Sequence, residues 1–197
     1  LAAARRATVL VSADFPGGRY VVPSQGDCVA CHALAPVPVL GFSALQLSGA
    51  RDPNAPNGRP RAADEPDLRA LVERGVVRGL PQSLWQTPPR IAAASPVERA
   101  ALGYLHANCS HCHHDSTGRV PVKLNLRQRV AEPEASAAAA LRSMLDTPAR
   151  FNGSDGADAG ARTVVPGDAA ASLITRRVRT RDPRVQMPPL GTEHADA

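Results

Sequence analysis

The clearest periodic pattern in the chain is an amphipathic stretch that follows Pro96. Ser95, Pro96 and Glu98 combine an N-cap serine, a proline at the first helical position and a glutamate at the third, which is typical of a capping box. Apolar residues then recur at helical spacing, at Ala100, Ala101, Tyr104 and Leu105. The pattern predicts a helix that begins at residue 96 and runs into Cys109.

Three further segments carry weaker helical patterns. Residues 67–74 predict a short helix that Gly75 ends, and residues 133–146 predict an alanine-rich helix. The apolar stripe of this second helix consists of Leu141, Met144 and Leu145. Residues 169–179 predict the last helix. These patterns place the predicted helices in the middle and the C-terminal part of the chain.

Two short β-type runs lie near the N-terminus. They span residues 8–11 and 20–22, and the turn residues Pro16, Gly17 and Gly18 separate them. This pattern predicts a short β-hairpin. Residues 36–63, rich in Pro, Gly, Asn and Arg, predict a loop, and the Gly- and Asp-rich residues 152–160 predict a surface loop without the spacing of a calcium site.

Composition limits the apolar core that this chain can build. Its 197 residues suffice for one large domain or two small ones, and only six of them are aromatic. Two small domains with so few large side chains bury little apolar surface by themselves. We therefore expect a large apolar cofactor to complete the core.

The cysteines indicate which cofactor this is. All four lie in two copies of the motif Cys-x-x-Cys-His: Cys28, Cys31 and His32 form the first copy, and Cys109, Cys112 and His113 form the second. In this motif the thiols form thioethers with a haem, and the histidine is the proximal ligand of the iron. The pattern predicts two covalently bound haem c groups. A structural zinc site or disulfides are the alternatives, but zinc gives no reason for both trailing histidines.

The charge pattern says little about macromolecular partners. The formal net charge is +5, and haem propionates would offset part of this excess. Five arginines form a local cluster: Arg176, Arg177, Arg179, Arg181 and Arg184. No aromatic residues interleave with them, which argues against a nucleic-acid role. A solvated surface, pairing with propionates and a docking rim for a redox protein are the remaining interpretations.

The chemistry also predicts a compartment. No apolar run approaches the roughly 18 residues of a membrane span, and no signal peptide is present. Covalent haem attachment takes place outside the bacterial cytoplasm. We therefore expect a periplasmic or extracellular protein whose signal peptide was removed or lies outside this sequence.

Several segments of the chain resemble those of bacterial di-haem cytochromes c. They are residues 104–113 with the second motif, Pro166-Gly167-Asp168, Ser172-Leu173 and residues 186–192, which read Gln-Met-Pro-Pro-Leu-Gly-Thr. The resemblance covers residues 20–194. It implies a mainly α-helical fold with two cytochrome c domains in tandem, residues 1–95 and 96–197, which share the central helix. It also implies that the Met-Pro-Pro loop supplies a sixth iron ligand.

The resemblance carries one further expectation, about the C-terminus. Cytochrome c domains normally close with a C-terminal helix, whereas this sequence ends eight residues after Pro189. We expect that helix to be missing from this sequence or to come from a neighbouring subunit.

The chemistry of the residues leads to the same sixth ligand. Only Met144 and Met187 can supply a thioether, and prolines make the loop around Met187 rigid. Met144 lies on a predicted amphipathic helix, where a core role is expected. We therefore predict Met187 as the sixth ligand of the second iron. Such His/Met coordination suits electron transfer.

The sixth ligand of the first iron is harder to assign. An overlay of the two halves places Leu80 at the position of Met187, and His32 is the only methionine or histidine in residues 1–95. His106, three residues before the second motif, is the candidate that the shared helix offers. The alternatives are an open or water-bound iron, or a ligand from His111, His114, His194, Met144 or a partner chain.

The same overlay predicts how the proximal histidines are oriented. His32 is followed by a proline segment up to Pro38, and His113 by one up to Pro121. Each segment can offer a backbone carbonyl to the imidazole N–H, which would orient the ring toward the iron.

These features predict an electron carrier that relays single electrons between redox proteins outside the cytoplasm. A di-haem peroxidase-like enzyme with an open first haem is one alternative. Leu80 favours it, whereas the short chain and the lack of a recognisable distal acid or base do not. A subunit of a larger cytochrome assembly or filament is the other.

Overall fold

The computed structural model describes residues 7–10, 19–50, 62, 64–115, 120, 122–150, 156, 158–190, 192 and 195. In chain order its elements are β1 (Ala7–Leu10), β2 (Arg19–Val22), α1 (Gln25–Leu34), α2 (Leu68–Glu73), α3 (Gln82–Gln86), α4 (Pro96–Cys109), α5 (Pro133–Met144) and α6 (Leu173–Arg179). The described residues are mainly helical, as predicted. None of their helices combines the length and the apolar character that crossing a membrane requires.

The chain divides into two compact units, each assembled from separate stretches. Unit 1 consists of Leu1–Pro38, Ser116–Lys123 and Arg142–Ala197, and unit 2 of Val39–Asp115 and Leu124–Leu141. The predicted boundary at residue 95 falls inside unit 2. The assignment of residues 1–95 and 96–197 to two tandem haem domains stays a prediction.

The N-terminal part of unit 1 contains the two strands and α1. β1 and β2 pair antiparallel, with Ala7 opposite Val22 and Leu10 opposite Arg19. The turn predicted at residues 16–18 lies outside the described residues. α1 begins with a complete capping box: Ser24 Oγ accepts the N–H of Asp27 at 3.2 Å, and Asp27 Oδ2 accepts the N–H of Ser24 at 3.0 Å.

The C-terminal part of unit 1 is built around α6, which begins four residues later than predicted. Asp168 Oδ1 accepts the N–H of Ala171 at 2.9 Å, and Ser172 Oγ donates to the carbonyl of Asp168 at 2.7 Å. These bonds hold residues 168–172 in a turn, so the helix begins only at Leu173. Leu173 is buried at the start of this helix.

Unit 2 contains the short helix and the capped helix that the sequence predicts. Asp67 Oδ1 caps α2 through the N–H of Ala70 at 2.8 Å, and Gly75 with φ +70° follows its end. Ser95 Oγ caps α4 through the N–H of Glu98 at 3.1 Å. The box of α4 is not reciprocal, because Glu98 Oε1 accepts the N–H of Ala94 instead, at 3.0 Å.

The buried faces of α4 and α5 differ from the predicted stripes. On α4 the buried residues are Ala100 and Leu102, whereas Ala101 is exposed. On α5 they include Ala137, Ala140 and Met144, whereas Leu145 is 40% exposed. Alanines occupy these faces because a small side chain lets neighbouring backbone approach closely.

α5 also ends two residues earlier than predicted. The carbonyl of Met144 accepts the N–H of Val164 at 3.1 Å, and the carbonyl of Val164 accepts the N–H of Asp146 at 2.8 Å. Asp146 has φ +50°, which a continuing helix does not permit. This pairing with Val164 draws the chain out of the helix.

Candidate haem centres

The first motif lies on α1 in unit 1. Cys28, Cys31 and His32 occupy positions i, i+3 and i+4 of this helix, which share one face. No residue of α1 is buried, and Cys28 and His32 are exposed. The side chains of Val29 and Val37 are also exposed, by 58% and 55%. This surface is apolar and accessible, as a surface that a haem covers would be.

The ring of His32 is oriented as the sequence predicts. Its Nδ1 lies 2.5 Å from the carbonyl oxygen of Pro38. A carbonyl oxygen only accepts, so Nδ1 carries the proton and donates. In this tautomer the lone pair is on Nε2, the nitrogen that would bind an iron.

The second motif lies at the end of α4 in unit 2. Cys109 is the last residue of the helix, and its carbonyl accepts the N–H groups of Cys112 at 3.1 Å and His113 at 2.9 Å. The chain therefore continues as a tight turn that contains Cys112 and His113. The carbonyl of His113 accepts the N–H of Leu126, which is itself almost fully buried, at 2.9 Å.

Burial sets the protonation of this second site. It lowers the pKa of His113, with smaller contributions from His111 and His114, so the imidazole is neutral. Burial and the neighbouring Cys112 raise the pKa of the Cys109 thiol to about 11. Nδ1 of His113 is buried and has no hydrogen-bond partner among the described residues. Its predicted partner segment ends at Pro121, which lies outside them.

The four cysteines are free thiols in this structure. Burial, Asp27 and Cys28 raise the pKa of Cys31. Within the part of the chain that is described, no three His, Cys, Asp or Glu side chains gather as a metal cage.

His106 lies in the last turn of α4, in the same unit as the second motif. Its Nδ1 accepts the backbone N–H of Gln128 at 3.2 Å. Burial, Arg127 and His111 lower the pKa of His106 to about 4, so the ring is neutral at physiological pH. Sequence reasoning did not find Gln128, because nothing in the local pattern marks a partner 22 residues away.

The loop of Met187 follows α6 in unit 1. The N–H of Met187 donates to the carbonyl of Arg177 at 3.0 Å, and the N–H of Gln186 donates to the carbonyl of Asp182 at 2.8 Å. Met187 is half-buried and Met144 is buried, in agreement with the predicted core role of Met144. Met187 belongs to the unit that contains the first motif, whereas the second motif belongs to unit 2. Its assignment to the second iron stays a prediction.

A buried ion pair supports this loop. Arg177 Nη2 lies 2.9 Å from Asp158 Oδ2, and the side chains are only 9% and 12% exposed. Arg176 Nη1 adds a second contact to Asp158 Oδ1 at 3.3 Å. In the surface loop predicted at residues 152–160, the described residues Gly156, Ala159 and Gly160 are exposed, whereas Asp158 is buried against α6. The carbonyl that holds Met187 belongs to the same Arg177.

Nearby carboxylates offset more of the positive charge of the arginine cluster than the sequence suggests. Besides the pairs at Asp158, Arg184 Nη2 contacts Asp182 Oδ2 at 2.7 Å. The Arg184 guanidinium also donates hydrogen bonds that lower the pKa of Asp182 to about 2. Arg181 donates to the carbonyl of Val178. Three of the five cluster arginines thus pair with carboxylates, which reduces the positive field available for docking.

The remaining candidate ligands of the first iron are distributed as follows. His114 is buried, and His111 is half-buried in the second motif. His194 lies outside the described residues. Leu80, which the overlay placed opposite Met187, is half-buried in unit 2, whereas the first motif is in unit 1.

Comparison with known proteins connects one part of the chain to a family. Residues 144–191 match a family model described as Planctomycete cytochrome C. The matched segment contains α6 and Met187 and makes up about a quarter of the chain; both Cys-x-x-Cys-His motifs lie outside it. No curated protein and no solved structure matches the chain. The match supports a c-type cytochrome with covalently bound haem and a role in electron transfer.

Proposed function

We propose that this chain is a di-haem c-type cytochrome that transfers single electrons between redox proteins outside the cytoplasm. The observation that carries the proposal is the first motif: two thiols and an imidazole on one exposed helix face, with the ring held in the iron-binding tautomer by Pro38. A disulfide would not require this tautomer, and a zinc site built from four cysteines would leave the imidazole unused. The family match in the other half of the chain points to the same cofactor.

The residues present fit a haem at each motif. Cys28 and Cys31 would hold the first haem, with His32 below the iron. Cys109 and Cys112 would hold the second, with the neutral imidazole of His113 below the iron. Bound haem supplies an iron that alternates between the ferric and ferrous states by one electron.

The chain's own residues set the conditions for this exchange. Pro38 fixes the orientation of His32 through Nδ1, and burial keeps His113 uncharged. We propose Met187, whose N–H donates to the Arg177 carbonyl, as the sixth ligand of the second iron. A partner that docks at the arginine cluster would meet mainly Arg179, Arg184 and the exposed part of Arg176.

Redox titration tests the proposal. Holoprotein matured in a host that attaches haem to exported proteins should show two reversible one-electron steps and negligible turnover of hydrogen peroxide. A haem that reacts rapidly with peroxide or binds carbon monoxide in the reduced state would favour the peroxidase-like alternative. A protein that emerges from an exporting host without covalent haem would overturn both.

A further inference from the structure

The proposed function does not account for the environment of His106. Its Nδ1 lies 3.2 Å from the backbone nitrogen of Gln128, whose N–H is directed at the ring. A backbone N–H only donates, so Nδ1 is the acceptor. In the neutral imidazole the proton is therefore on Nε2.

The neighbouring serine does not change this tautomer. Ser110 Oγ lies 3.2 Å from Nδ1 of His106, but it donates its proton to the His106 carbonyl at 2.6 Å. A hydroxyl carries a single proton, so the donor that reaches the ring is the N–H of Gln128. Ser110 and Gln128 are both buried, where an unmade hydrogen bond is costly.

The segment that contains Gln128 also contacts the other side of the second motif. The N–H of Leu126 donates to the carbonyl of His113 at 2.9 Å. His106 and His113 flank the two cysteines of the motif. Residues 126–128 therefore form hydrogen bonds with the chain on both sides of the haem-attachment site. Ser136 Oγ of α5 accepts the N–H of Arg129 at 3.1 Å and anchors the segment in turn.

We propose that His106 is a positioning residue for the second haem motif and not an iron ligand. Through Nδ1 it holds the last turn of α4 against Gln128, and this contact fixes the spacing of Cys109 and His113. As an iron ligand, the ring would bind the metal through the lone pair of Nε2. Its proton would then be on Nδ1, where it would face the N–H of Gln128. The two roles exclude each other, so this proposal replaces the ligand role predicted for His106. It rests on the proposed function, because it takes the second motif to be a haem site.

The tautomer can be measured without a mutation. Nitrogen-15 NMR of the histidine side chains in reduced holoprotein should find the His106 ring protonated at Nε2 and unprotonated at Nδ1. A ring protonated at Nδ1, or ring signals that shift with the oxidation state of the iron as those of a ligand do, would overturn the proposal.

Two amide variants then separate the two ring nitrogens. The Oδ1 of asparagine lies near the place of Nδ1, whereas the amide of glutamine reaches that of Nε2. His106→Asn should preserve the unmodified spectra and potentials. His106→Gln and His106→Ala should accelerate hydrogen exchange of the Gln128 amide by roughly tenfold, as loss of one hydrogen bond allows. Both should also shift one reduction potential, with the spin state of both haems unchanged.

The outcomes separate this proposal from the proposed function. If all three variants convert one haem to high spin, His106 is an iron ligand and the proposal fails while the di-haem function stands. If the Gln128 amide exchanges hydrogen as fast in the His106→Asn variant as in the His106→Ala variant, the acceptor role of Nδ1 fails. If the unmodified protein has no haem at the second motif, the proposed function fails, whereas the tautomer measurement still tests the contact with Gln128.

Discussion

Removal of Asp158 should strongly destabilise unit 1. Asp158 accepts from Arg177 at 2.9 Å, and the two side chains are 12% and 9% exposed. Asp158→Ala leaves the guanidinium of Arg177 buried without this carboxylate. The added contact of Arg176 does not offset the loss, because Arg176 loses the same partner and is 44% exposed.

The magnitude follows from the burial of the pair. Breaking a buried ion pair by removing one partner costs about 3–5 kcal/mol, because the remaining charge stays desolvated. Replacing both partners with apolar groups is often nearly neutral. We therefore expect Asp158→Ala to lower the free energy of unfolding by about 3–5 kcal/mol, and the double variant Asp158→Ala/Arg177→Met to recover most of that loss.

Urea unfolding of the holoprotein, followed by far-UV circular dichroism, measures these differences. Glu73→Ala is the control, since Glu73 pairs with Arg69 on an exposed face of α2. It should leave the unfolding free energy unchanged within error. The reasoning is refuted if Asp158→Ala is as stable as Glu73→Ala, or if the double variant is no more stable than the single one.

Three further variants test the ligand loop and the helix caps. Met187→Ala should abolish the weak sulfur-to-iron absorption band and lower one reduction potential while sparing the other. Met144→Ala should keep that band but lose about 2–5 kcal/mol of stability, because Met144 is buried; the reverse result would exchange the two assignments. Ser95→Ala should cost about 1 kcal/mol in urea unfolding through the lost cap of α4, and an unchanged midpoint would contradict that cap.

Local chemistry explains why parts of the fold were predictable. The starts of α2 and α4 depend on Asp67 and Ser95, whose side chains bond to N–H groups three residues later. The residues that form such a cap lie close together in the sequence. The box of Ser24 and Asp27 at the start of α1 has the same spacing, so it could also have been predicted from adjacent residues.

Periodicity was a weaker guide to which face is buried. Large apolar residues suggested Leu141 and Leu145 on α5, but the residues that pack include Ala137 and Ala140. A helical period shows that one side of a helix is less polar; it does not show which neighbouring residues face the core when many of them are alanine. In an aromatic-poor chain this ambiguity is large.

The polar contacts of the site depend on tertiary structure. Arg177 meets Asp158 across 19 residues, and His106 meets Gln128 across 22. No local signal distinguishes these partners from other polar residues in the chain. His32 and His113 can nevertheless be proposed as haem ligands from the sequence, because the covalent chemistry itself fixes their spacing from the cysteines.

The number of covalently attached haems tests the central claim most directly. Intact-mass spectrometry should be applied to the protein after denaturation and extraction with acidified organic solvent, which removes haem that is not covalently bound. We expect the 20.6 kDa polypeptide plus the mass of two haems, and one haem fewer when Cys28 and Cys31 are both replaced by serine. An unmodified protein that carries one haem or none would contradict the account.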